Sequence, residues 1–89
     1  MNWNKLMEFI PTNEHIEISL QEGLNTLQIG QADKLFSDGL DNYEYIYFNP
    51  KKGFCYEDNC VIGLTFNQTL IRLQSVGWCY KHKFFIRNK

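Results

Sequence analysis

Residues 43–62 read Tyr43-Glu44-Tyr45-Ile46-Tyr47-Phe48-Asn49-Pro50-Lys51-Lys52-Gly53-Phe54-Cys55-Tyr56-Glu57-Asp58-Asn59-Cys60-Val61-Ile62. Tyr43, Tyr45 and Tyr47 alternate with Glu44, Ile46 and Phe48, the period-two pattern of a strand. Asn49-Pro50-Lys51-Lys52-Gly53 supplies turn chemistry, so a hairpin follows. Phe54 to Glu57 and Cys60 to Phe66 form the next pair around Asp58-Asn59, read as a two-residue turn because both residue types tolerate positive φ. At least three antiparallel neighbours result.

Working outward, Asn67 caps a helix in which Leu70, Leu73 and Val76 approximate one face, closed by Gly77. Leu70-Ile71 is a short apolar pair, so residues 69–76 read equally as a strand. A strand from Trp78 to Ile86 ends the chain, with Phe84 on one face and Lys83 and Phe85 on the other. On the N-terminal side, Ile16, Ile18 and Leu20 alternate with Glu17 and Ser19 as a strand, and Gly23 turns the chain. Ala32 to Phe36, between Gly30 and Gly39, suits a helix of one or two turns. Trp3, Leu6, Met7 and Ile10 fall at helical spacing, with Asn2 as cap and Pro11 as stop. The expected class is α+β: an antiparallel β-meander of four to five strands with an N-terminal helix and one or two short helices. Eighty-nine residues fit one domain, 1–89.

Nine Lys and Arg stand against ten Asp and Glu, a net charge of −1, which argues against bulk electrostatic coating of nucleic acid. The distribution is uneven. All ten acids precede residue 60, giving residues 1–60 a formal charge of −6, whereas residues 61–89 carry +5 and no acid. Either the two parts neutralise each other across a sheet, or one surface is aimed at a basic partner. No apolar run reaches the roughly 20 residues of a membrane-spanning helix. The start Met1-Asn2-Trp3-Asn4-Lys5 lacks the apolar core of a signal peptide, so a cytoplasmic location is expected. Three cysteines without an export signal fit reduced thiols.

Catalytic combinations are few. The histidines are His15 and His82, and a Cys-His dyad would have to be assembled from Cys55, Cys60 or Cys79. Cys79 and His82, three apart on a strand, point to opposite faces. Cys55, Cys60, Cys79 and His82 have the composition of a structural zinc site. Cys55 and Cys60 would lie diagonally on one face of a regular hairpin rather than in a tight knuckle, which argues against metal. The six glycines are scattered singly and form no phosphate loop. Neither a catalytic residue nor a metal or cofactor is expected.

Binding is the better-supported class. With Ile46 and Phe48 in the core, Tyr43, Tyr45 and Tyr47 take the opposite face, and tyrosine is favoured at interface hot spots. Asp33, Asp38, Asp41 and Glu44 lie within a dozen residues of the row. Together Asp33, Asp38, Asp41, Tyr43, Glu44, Tyr45 and Tyr47 form a candidate partner-binding surface, acidic and aromatic, suited to plugging a cationic site such as a nuclease's phosphate grip. The alternative is a nucleic-acid-binding module using the basic aromatic segment Trp78 to Arg87. A strand with a free edge would also serve to pair two copies into a homodimer.

The strand at Ile16–Leu20, the approach Leu27-Gln28-Ile29-Gly30, the short helix ending at Leu35-Phe36 and the Tyr-rich meander through Val61–Phe66 resemble small bacterial immunity proteins, the cytoplasmic antidotes to contact-delivered toxins. The resemblance spans residues 13–77 and is loose: where that group carries Leu-Gly-x-Pro after the short helix, this chain has Asp38-Gly39-Leu40-Asp41. It implies a non-catalytic inhibitor that neutralises a toxin, a nuclease among the candidates, by occlusion. A phage-encoded inhibitor of a host defence nuclease would share these features.

Overall fold

The computed structural model describes residues 11–40, 44–75 and 82–87. The expected helix from Trp3 to Ile10, Asp41, Tyr43 and the segment 76–81 lie outside them. The class is α+β: strand β1 (His15–Ile18), helix α1 (Leu20–Gln28), β2 (Leu35–Ser37), β3 (Ile46–Asn49), β4 (Gly53–Tyr56), β5 (Val61–Gly63), helix α2 (Phe66–Ser75) and β6 (Phe84–Arg87). Among the described residues six strands, one more than the upper end of the expected four to five, form one antiparallel sheet in the order β1-β6-β2-β3-β4-β5.

The central meander follows the sequence reading. Asn49 pairs with Gly53 across the first turn, where Asn49 Oδ1 accepts from the Lys51 N–H at 2.8 Å and Gly53 takes φ 95°. Ile46 is fully buried and Phe48 packs on the same core, while Tyr45 joins a cluster on the other face. The second hairpin corrects the expected turn. Its loop is Glu57-Asp58-Asn59, three residues, with Tyr56 N–H donating to Cys60 O and Asn59 in the left-handed region at φ 72°. The extra residue makes Cys55 pair with Val61 and Cys60 with Tyr56, so the two thiols do not share a face as expected. Residues 66–75 are helical, which decides between the two readings of this segment; Thr65, not Asn67, caps it through the Gln68 N–H.

Two N-terminal expectations are overturned. The first strand stops at Ile18, and Gly23, expected to turn the chain, sits inside α1. Ser19 caps this helix, accepting the Glu22 N–H at 3.1 Å, and Leu20, Leu24 and Leu27 at i, i+4 and i+7 enter the core. Glycine is required at position 23 by packing: a Cβ there would lie 2.6 Å from Leu35 Cδ1. Residues 35–37 are a strand, not the end of a helix. β2 lies between β6 and β3 with neighbours on both faces, so Leu35, Phe36 and Ser37 are all buried and no alternation is visible in the sequence.

Both helices cover one face of the sheet. Leu20, Leu24, Leu27 and Leu73 from the helices meet Leu35, Ile46, Phe54, Ile62 and Phe84 from the strands. Burying a leucine as fully as Leu24 stabilises the fold by about 1.5–3 kcal/mol. Phe36 and Phe85, one residue out of phase, form a second buried cluster on the opposite face, with Tyr45 packed against it. β6 crosses from the end of the chain to lie between β1 and β2. Basic and acidic parts thereby meet, with Lys83 Nζ 3.9 Å from Glu17 and His82 Nδ1 3.2 Å from Asp38.

Candidate functional site

The sheet face opposite the helices presents the tyrosine row. Tyr45 and Tyr47 are half-buried, with ring centroids 6.2 Å apart, and Tyr45 lies 6.4 Å from the Phe36 ring. Cys55, fully buried, pairs with Tyr47. Burial and the Cys55 thiol push the Tyr47 phenol up, so it stays protonated and donates to Asn59 Oδ1. Lys34 Nζ stands 4.7 Å over the Tyr45 ring and Arg87 5.7 Å from the Phe36 centroid. The tyrosines are thus held in place, with part of each ring open to solvent.

The predicted acids do not form one patch. Asp33 lies at one end of β2, where it lines with Tyr47, Phe48 and Pro50 a cleft of about 490 Å³. Asp38 lies at the other end and is structural: its Oδ1 accepts the Lys83 N–H at 2.9 Å and faces His82. Glu44, next to Tyr45 in the chain, lies within electrostatic reach of Tyr56 and of Glu57, the latter acidic company that the sequence reading missed. The loop after β4 carries Glu57 within electrostatic reach of Glu44 and of its neighbour Asp58. Desolvation, followed by Asp58 and Glu44, pushes the Glu57 carboxyl above its ordinary range, and the Tyr56 phenol is raised by burial and the same two charges. Asp58 is instead held low, because its carboxylate accepts from Cys60. The signal for this trio was present in Glu57-Asp58-Asn59, had a three-residue hairpin loop been read there.

The exposed Cys60 thiol is pushed up, chiefly by its hydrogen bond with Asp58, away from the thiolate a nucleophile requires. His15 is bonded to Thr12, and His82 to Asp38. A cleft of about 500 Å³ lies where β1, α1, α2 and β6 meet; Glu17 and Lys83 in its wall pair with each other. Among the described residues no three metal-ligating side chains converge. The basic aromatic segment gives up its described rings to the core, since Phe84 and Phe85 are buried on opposite faces. No helix among the described residues is long and apolar enough to cross a membrane. Comparison with family models, curated proteins and solved structures returned no match.

Proposed function

We propose that this chain is a non-catalytic binding protein of the immunity type, which neutralises a toxin by seating the Tyr45–Tyr47 strand and the Glu44, Glu57 and Asp58 carboxylates on a cationic surface of its partner. The observation that carries the reading is that Glu57 lies within electrostatic reach of both Asp58 and Glu44, next to the anchored Tyr45 and Tyr47. Desolvation, and after it the Asp58 and Glu44 charges, raises the Glu57 carboxyl, and an incoming Lys or Arg would offset both. The tyrosines supply rigid apolar area whose ordering is already done by Asn59, Lys34 and Phe36. A nuclease's phosphate-binding site has the matching charge, and a standard interface of roughly 1,600 Å² is within reach of a domain this size.

The test is affinity capture with tagged protein from its native cells. A single stoichiometric protein partner is expected, and combined Glu44→Lys and Glu57→Lys substitution should weaken its binding by about 10- to 100-fold while the circular dichroism spectrum is unchanged. Recovery of nucleic acid without a protein partner would reject this reading in favour of a nucleic-acid-binding module.

A further inference from the structure

We propose that His15 is a proton-sensitive latch on edge strand β1: its neutral ring holds the entry of the chain into the sheet, and protonation releases it. The latch is local. Thr12 N–H donates to His15 Nδ1 at 3.1 Å, Thr12 Oγ1 lies 3.1 Å from the same nitrogen, and His15 N–H donates back to Thr12 O at 3.0 Å. Thr12 Oγ1 also accepts the Glu14 N–H at 3.2 Å and, as a hydroxyl, can bond Nδ1 in either direction. The Thr12 N–H has no such choice and needs the Nδ1 lone pair. An imidazolium has none, and its new N–H would face the Thr12 N–H.

The surroundings act in the same direction. The His15 ring stands edge-on to Phe36, with centroids 5.2 Å apart and planes at 85°. Arg87 pairs with His15 across β1 and β6 and lies against the same Phe36 ring. A proton on His15 would place a second positive charge beside the first on a partly desolvated site. Among the described charged groups, Arg87 from β6 opposes protonation and Glu14 from the turn favours it; the contact from β2 is the uncharged Phe36. Burial first, then Arg87, holds the imidazole below its ordinary value of 6.5. For a histidine lowered in the folded state, the stabilisation is full above the unfolded value and is lost as pH falls through and below it. Acid thus loosens the Thr12–His15 turn and the start of β1, beside the Phe36 cluster on which Tyr45 rests. The latch does not depend on the identity of any partner.

The experiment follows the His15 ring resonances and backbone amide exchange by NMR across about pH 7.5 to 5. His15 should titrate at lower pH than in the urea-unfolded chain. Protection of the Thr12 and His15 amides, corrected for intrinsic exchange, should fall about tenfold or more on acidification. Arg87→Gln should move the His15 midpoint upward. His15→Asn keeps an acceptor near Nδ1 that does not titrate, and should remove the pH dependence of the Thr12 amide. A His15 midpoint at or above the unfolded value overturns the proposal, and so does the same acid response in His15→Asn. Should that variant not fold, the wild-type midpoint and its response to Arg87→Gln decide the matter.

Discussion

Gly23 in α1 lies directly against Leu35 in β2, and a methyl group at position 23 would reach to 2.6 Å from Leu35 Cδ1. Helix and strand can approach this closely only because the helix offers bare backbone at that point. An interior helical glycine costs about 0.5–1 kcal/mol relative to alanine, so Gly→Ala in a helix ordinarily stabilises. Here the sign reverses. Leu35 is fully buried, so its methyls would have to shift against packed neighbours, and Gly23→Ala should destabilise by about 1–2 kcal/mol in urea unfolding.

Gly53 presents a more severe case of the same kind. Its φ of 95° disfavours any side chain, and a Cβ would stand 2.4 Å from Gly63 O, a backbone atom on the paired strand. Gly53→Ala should therefore cost more than Gly23→Ala, about 2–4 kcal/mol in total, with a lower thermal midpoint.

Asp38 should behave as a fold residue, not a contact residue. Its Oδ1 receives the Lys83 N–H and faces His82, tying the turn after β2 to the entry of β6. Asp38→Ala should lower stability by about 1–2 kcal/mol, because the Lys83 amide loses its acceptor. Glu44→Lys and Glu57→Lys should not lower the unfolding midpoint. Measuring unfolding and partner affinity on the same variants separates the two roles.

Glu57 and Asp58 should respond to pH in opposite senses. The Glu57 carboxyl is raised from its ordinary 4.5, so the folded state holds that proton more tightly and its ionised form works against folding at neutral pH. Glu57→Gln should raise the thermal midpoint at pH 7, with the gain disappearing once acid has protonated Glu57 in both folded and unfolded chains. Asp58 is lowered from 3.8 by its bonds to Cys60, so its contribution is present above that value and lost in acid. Asp58→Asn keeps an acceptor for the Cys60 N–H and should weaken partner binding with little effect on the hairpin.

The sequence by itself determined the elements whose rules are local. The Tyr45-Ile46-Tyr47-Phe48 alternation and the Asn49–Gly53 turn depend on neighbours only a few residues away, and both stand within the described residues, whereas the helix at Phe66–Ser75, capped by Thr65, was one of two readings open in the sequence. The division of Tyr45 from Ile46 onto opposite faces follows from the same period of two. Gly23 misled for a comparable reason: a glycine reads as a turn unless the leucine packed against it, twelve residues later, is known. Tertiary structure alone decided that β6 lies between β1 and β2, a pairing of residues 15–18 and 35–37 with 84–87 that no local pattern encodes. That insertion buries Leu35, Phe36 and Ser37 from both sides and turns Asp38 into a clasp. One extra residue in the loop after β4 changed the pairing of Cys60 and set Glu57 and Asp58 beside the tyrosines. Charges distant in sequence met because strands bring together residues by register, and register is fixed by packing against the whole sheet.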